Sequence, residues 1–237
     1  MTDPMDKIAE IDCEFDLNWL PSCDVILLDH MGNDDSVVNA ARVSFDKQST
    51  DYTPEANMKL IQYLAKHGHW SPFAHVSLKF RIRAPIFVAR QLAKHQVGLA
   101  WNEISRRYVD SDIKVWIPHA LRKRAPSVKQ GSSDEYVENP RSVIDYRYAV
   151  GIAIRTYESL IRDGVCPEQA RAVLPQGLYT EWVWTGSLYA FARIVAQRTS
   201  RHAQRETREV ATRIAYDASR CFPLSWRALM LHQKGAE

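Results

Sequence analysis

Glycine is scarce and dispersed in this chain. Of 237 residues only nine are glycine: Gly32, Gly68, Gly98, Gly131, Gly151, Gly164, Gly177, Gly186 and Gly235. No two lie closer than nine positions apart. A GxGxxG turn or a GxxxxGK[ST] loop needs clustered glycines, because only a residue without Cβ lets the backbone wrap closely around phosphates. A Rossmann site or a P-loop is therefore not expected, and any nucleotide must be gripped by side chains. Cysteine is equally uninformative: Cys13, Cys23, Cys166 and Cys221 form no CxxC pair. No zinc ribbon, thioredoxin motif or other metal site is expected. Scattered thiols suit a reducing compartment, so a cytoplasmic location is expected. No apolar run approaches the roughly 20 residues of a membrane span. The acidic start of the chain lacks the apolar stretch of a signal peptide, and no membrane partner is expected.

Charge is plentiful and unevenly placed. The net charge of +3 covers a segment, residues 1–40, with ten acids and one lysine. Residues 79–124 hold eleven Lys/Arg against three acids, and residues 193–220 hold seven Arg against three acids. Two separated basic segments point to an anionic ligand, or to nucleic acid.

Periodicity predicts helices and isolated strands, hence an α+β fold with a small, mostly antiparallel sheet packed with long helices. Ser36–Phe45 reads as a short helix capped by the Asp34-Asp35-Ser36 cluster. Thr53 as N-cap, Pro54 at N1 and Gly68 beyond the end predict a helix over 54–67. In His75–Arg83, Val76, Leu78, Phe80 and Ile82 alternate with polar residues, as in a half-buried strand. Pro85 opens a helix expected to run to Gln96. Ile113, Val115 and Ile117 alternate as a second strand. Residues 125–141 read as a polar loop, 142–163 as a long helix and 178–184 as a strand. Residues 187–201 and 202–219 read as two helices or one continuous helix.

Four stretches carry candidate chemistry. In the first, His69 and His75 flank a proline turn, where a histidine read alone is ordinarily a surface residue. The second runs from Pro85 to Val109. On a helix Arg90/Lys94 and Gln91/His95 are i,i+4 neighbours. After Gly98 come Glu103, Ser105, Arg106 and Arg107, a set suited to a phosphate and a sugar together: arginine forks match phosphate oxygens, and a glutamate accepts hydroxyl protons. A solvated basic helix end would look the same. The third is Arg171, on a short helix ended by Pro175. In the fourth, residues 193–209, Arg198 and His202 are i,i+4, and Glu206 and Glu209 are placed to pair with neighbouring arginines. Arg198, beside Ile194 and Val195, is expected to be partly buried, and so to have an anionic or carbonyl partner.

The strings AARVSF (40–45), HxSPFxH, PIFVARQ…NEISRRY, ARAVLP and RxxxHAQxExRE occur in this order. Together they resemble the flavin-dependent thymidylate synthases, over residues 37 to 225. The resemblance implies one domain spanning 1–237, with residues 1–36 as an acidic N-terminal extension. It further implies a homotetramer with active sites shared between subunits. The implied reaction methylates dUMP to dTMP, with methylenetetrahydrofolate as carbon donor, NADPH as reductant and bound FAD as hydride relay. It places His69, Ser71, Lys94, His95, Gln96, Glu103, Ser187, Tyr189, Arg193 and His202 at the flavin. It places Gln91, Lys94, Glu103, Ser105, Arg106, Arg107, Arg171 and Arg198 at dUMP. Arg198 and Ser105 are the candidate catalytic residues. Arg198 stabilises negative charge on the pyrimidine, and Ser105 binds and orients, since no base is evident to activate it. None of the four cysteines falls in a matched block, which argues against a thiol nucleophile.

The chain departs from the family pattern in several places. The signature Arg-His-Arg, seven residues, Ser is here Lys94-His95-Gln96, eight residues, Ser105. Lysine keeps a charge but loses the planar fork, and Gln96 removes a charge. Ala74, Ser187 and Ser200 stand where Glu, Asn and Asp are usual. Two rival readings follow: a degenerate homologue that binds nucleotide or flavin without turnover, and a nucleic-acid-binding protein using the basic segments. Glu103, Glu206 and Glu209 interrupt those segments, so no nucleic-acid partner is expected.

Overall fold

The structure, a computed structural model, describes residues 4–15, 17–20, 22–126 and 132–233. In chain order its elements are α1 (Pro4–Phe15), β1 (Trp19–Leu20), β2 (Asp24–Met31), α2 (Asp34–Arg42), α3 (Pro54–Lys66), β3 (Ser77–Pro85), α4 (Ile86–Leu92), β4 (Leu99–Glu103) and β5 (Val115–Trp116). There follow β6 (Arg122–Arg124), β7 (Ser132–Tyr136), α5 (Pro140–Arg162), α6 (Pro167–Ala170), β8 (Tyr179–Ser187), α7 (Leu188–Arg198), α8 (Arg205–Cys221) and α9 (Pro223–His232). The class is α+β, as the sequence pattern predicts. The chain divides into two compact units, one from residues 1–23, 83–91 and 103–181, the other from 24–82, 92–102 and 182–237.

The first unit is organised by α5, whose N-terminus is capped by Asn139: its Oδ1 accepts from the Arg141 N–H at 3.0 Å. Helix α1 packs along α5. Ile11, Phe15 and Leu17 bury against Ile144, Val150, Ile154, Val115 and Ile117. Gly151 makes this docking possible, since a Cβ there would press into the Phe15 ring. The Arg155 guanidinium lies 4.2 Å over the Phe15 ring and donates to the Glu14 carbonyl at 3.1 Å. Residues 4–15, read from the sequence only as part of an acidic extension, are thus built into a core.

Two expectations in this unit change. The strand expected over 113–117 is paired only at Val115–Trp116, parallel to β1. Within the expected loop 125–141, Ser132–Tyr136 pairs antiparallel with β6, and α5 already begins at Pro140. Its residues are polar and mostly exposed, so no apolar alternation announces the strand. Residues 127–131 lie outside the described residues.

The second unit carries most of a four-stranded sheet of order β2-β3-β8-β4. Leu188 N–H bonds Val76 O, and Ile86 N–H bonds Leu178 O, so β3 and β8 run antiparallel. The pairs Ser187 to Gly98 and Ile104 to Glu181 give the same sense for β8 and β4. Val76, Leu78, Phe80 and Ile82 are all fully buried, as their alternation predicts. Trp101 of β4 stacks on Trp182 of β8 at 4.3 Å and meets Trp184 edge-on at 5.4 Å. Helix α3 packs on α9 and α7 on α8. Thr53 caps α3 as expected, its Oγ1 accepting from Ala56 N–H. Helix α9, beyond the last element read from the sequence, is capped at long range: the Asp34 carboxylate accepts from Leu224 N–H at 2.9 Å and Ser225 N–H at 2.8 Å.

Helix boundaries differ from the expected ones here too. The N-cap of α2 is Asn33, with Ser36 completing the capping box, and α2 passes at Val43 into a 3-10 turn. The helix opened near Pro85 stops at Leu92, not Gln96. Residues Leu99–Glu103, not expected as a strand, form β4. The two C-terminal helices are not continuous: α7 ends at Arg198 and α8 starts at Arg205. Among the described residues no helix is long and apolar enough to cross a membrane.

Candidate functional site

The early end of α4 shapes the main site of the second unit. After Leu92 the chain turns, with His95 N–H bonded to Leu92 O at 3.0 Å, and reaches β4 through Gly98 at φ +78°. A left-handed residue is needed there and glycine supplies it without strain. Gly186 allows the close approach that follows, because a Cβ on it would come within 2.8 Å of the Gly98 carbonyl oxygen and press into Leu99. Beside this crossing opens a cavity of about 630 Å³. Gly98, Ser187, Tyr189 and Arg193 line it, together with Trp70 and Ala74 from the proline turn Ser71–Ala74. Ser187 is the N-cap of α7, its Oγ accepting from Ala190 N–H at 3.2 Å, which leaves its hydroxyl proton able to donate.

At the C-terminal end of α7, Arg198 Nε donates to His95 Nε2 at 2.9 Å. Burial, followed by the charges of Arg198 and Arg193, lowers the His95 pKa to about 4. The ring is neutral at physiological pH with its proton on Nδ1, the tautomer that lets Nε2 accept. Burial likewise lowers the Arg198 pKa. The partial burial expected of Arg198 is present, and the His95 imidazole is one of its partners. A guanidinium desolvated in this way attracts negative charge more strongly than one in bulk water.

The NEISRRY block begins in β4, and the chain turns after Glu103 in the first unit. Ser105 Oγ accepts from both the backbone N–H and Nε of Arg107, each at 3.3 Å. This tethers a guanidinium that is itself exposed. Arg106 turns the other way. It donates to the carbonyls of Val109 (3.4 Å), Ser111 (2.6 Å) and Asp112 (3.3 Å), and burial lowers its pKa. Its guanidinium closes its own loop, whereas that of Arg107 is exposed. Glu103 Oε1 accepts from Thr180 Oγ1 at 2.6 Å. Arg171 is exposed in the 3-10 turn Arg171–Val173, and Gln91 is half-buried near the end of α4.

Of the residues singled out in the sequence, His69, Ser71, Lys94, His95, Gln96, Ser187, Tyr189, Arg193, Arg198 and His202 belong to the second unit. Gln91, Glu103, Ser105, Arg106, Arg107 and Arg171 belong to the first. The i,i+4 pairings Arg90/Lys94 and Gln91/His95 do not form on a helix, because α4 has ended. Arg198/His202 fails for the same reason: His202 is exposed in the turn between α7 and α8, its N–H on Ser200 Oγ at 3.3 Å. Glu209 pairs with Arg213, one turn further along α8, at 3.6 Å, and Glu206 is buried. His69 lines a small adjoining pocket of about 70 Å³ with Trp70 and Tyr189. Sequence reasoning missed Trp70 and Thr180. A tryptophan after a histidine carries no ligand signature, and Thr180 is brought to Glu103 only by the pairing of β4 and β8.

The family model described as thymidylate synthase complementing protein, Thy1, matches residues 26–224. A flavin-dependent thymidylate synthase of Kosmotoga olearia is 37% identical over 206 residues, covering 86% of this chain and 88% of the relative. One from Thermus thermophilus is 38% identical over 208 residues, covering 88% of this chain and 76% of the relative. Among solved structures, a UMP/dUMP methylase, PolB, from Streptomyces cacaoi bound with 5-Br dUMP superposes with a TM-score of 0.82 at 28% identity. That match covers 93% of this chain and all of the other. The chain belongs to the Thy1 family, that of the flavin-dependent thymidylate synthases.

Proposed function

We propose that this protein methylates dUMP to dTMP, with methylenetetrahydrofolate as carbon donor, NADPH as reductant and FAD bound in the second unit. The observation that carries the proposal is the Arg198–His95 pair: a desolvated guanidinium held by a neutral imidazole, in a chain of this family. Arg198 binds the pyrimidine and stabilises its negative charge, as oxyanion-hole donors do. The Arg107 guanidinium, tethered to Ser105, takes the phosphate with Arg171, while Glu103 and Gln91 hold the sugar and base. Ser105 orients and does not attack.

The second unit fits a flavin nucleotide. Its cavity has a volume typical of cofactor sites. Aromatic and small residues wall it, and Arg193 stands at its rim as a cation for a pyrophosphate. Ser187 adds a donor to its wall, and the family resemblance adds Lys94, Gln96, His69 and Ser71 as flavin contacts. Bound there, FAD supplies hydride chemistry that no side chain offers. The name of the Streptomyces cacaoi relative includes UMP as well as dUMP, so the sugar preference of this chain is part of the test. The purified protein is expected to be yellow, to bleach with NADPH, and to form dTMP from dUMP and methylenetetrahydrofolate. Parallel assays with UMP would measure the preference. A protein that takes up no FAD on reconstitution would overturn the reading. One that binds FAD and dUMP but forms no product would establish the degenerate alternative instead.

A further inference from the structure

Trp70 and Tyr189 are large aromatic rings that do not serve a core. Trp70 is 55% exposed and Tyr189 is partly buried. Their centroids lie 6.1 Å apart with planes at 42°. Both line the 630 Å³ cavity, and both also line the small pocket beside it, so the pair forms the partition between the two. The separation is that of rings already in contact, too short to admit a third ring between them. What the pair offers is therefore one continuous aromatic surface toward the larger cavity. Ala74, Gly98 and Ala190 leave space in front of it. Arg193 supplies the cation on the same cavity wall.

An exposed aromatic surface beside a cation suits a ligand with a flat heterocycle attached to an anionic group. Stacking supplies affinity for the ring whatever its edge pattern, and the cation takes the phosphates. The basic signature in this chain is reduced to Lys94-His95-Gln96, and His95 is neutral. Ring stacking is a source of affinity that those charges do not provide.

We propose that Trp70, backed by Tyr189, is a cofactor-binding residue that stacks against a fused heterocycle of FAD. This rests on the reading of the second unit as a flavin site. The test is the dissociation constant for FAD of wild type, Trp70→Ala and Trp70→Phe, measured by flavin fluorescence on apoprotein. Wild type is expected to bind, Trp70→Ala to weaken binding at least about fivefold, and Trp70→Phe to stay near wild type. The loss should be the same at low and high salt, unlike that of Arg193→Ala, which should shrink as salt screens the pyrophosphate. Riboflavin and ADP as separate probes would tell which ring stacks, the isoalloxazine or the adenine. If Trp70→Ala does not fold, Trp70→Leu against Trp70→Phe replaces it, with loss expected only for leucine. Failure of wild type to bind FAD would overturn the flavin reading itself. Wild-type binding with an unchanged constant in Trp70→Ala or Trp70→Leu would overturn the stacking proposal alone.

Discussion

At the scale of single residues, the hydrogen bond from Arg198 to His95 organises the proposed chemistry. Arg198→Ala is expected to abolish dTMP formation, while the flavin absorbance of the reconstituted protein stays. Equal activity in that variant would remove Arg198 from the reaction. We propose that His95, besides the flavin contact the family resemblance implies, positions Arg198 through this bond. His95→Ala should therefore lower kcat more than it raises the KM for dUMP. The pKa of His95 also predicts a pH dependence. Its folded value, about 4, lies below the ordinary 6.5, so the unfolded chain binds a proton that the folded chain excludes. Its contribution to stability is complete above about 6.5 and is lost as pH falls through about 4. Melting temperatures of wild type and His95→Gln from pH 7 to pH 4 should show a steeper fall for wild type. Parallel curves would show that His95 titrates normally.

At the scale of elements, the consequential events are where helices stop and what seats them. Helix α4 ends four residues before the expected Gln96, and Gly98 at φ +78° completes the turn. Gly98→Ala should destabilise the protein by about 1–2 kcal/mol through the left-handed backbone. It would also bring a methyl within 3.3 Å of Ala190 beside the cavity. Chemical denaturation and FAD affinity measured on the same variant would separate the two effects. Asp34 offers a second check. Its carboxylate satisfies two N–H groups at the start of α9, and Asp34→Ala should cost about 1 kcal/mol. No change in the denaturation midpoint would mean that water replaces the cap without loss.

At the scale of the whole molecule, we propose the homotetramer with shared active sites that the family resemblance implies. Val43, Phe45, Val97 and Tyr108 are each more than 70% exposed in the single chain. Covering them in an assembly would remove that apolar surface from water. Light scattering on the eluted protein is expected to give four times the 27.2 kDa chain mass. A monomer that still turned over would refute sharing.

The sequence by itself determined the class, the buried face of β3, the start of α3, and the family. Alternation at Val76–Ile82 and the Thr53-Pro54 cap are local signals with one structural outcome each, and five ordered motifs together identify a lineage. It did not reveal α1 as part of a core, because the acidic face that dominates its composition says nothing about Phe15 finding the gap at Gly151. Nor did it reveal β7, whose polar strand has no apolar period. The Arg198–His95 bond, the Thr180–Glu103 bond and the Trp70–Tyr189 surface join residues 103, 77 and 119 positions apart. Only tertiary structure decided those contacts, since a side chain's partner depends on how strands pair and where helices end. The scarce glycines show both sides. Their spacing alone argued against a phosphate loop, whereas Gly98 and Gly186 acquired a role only where the chain crosses itself beside the cavity.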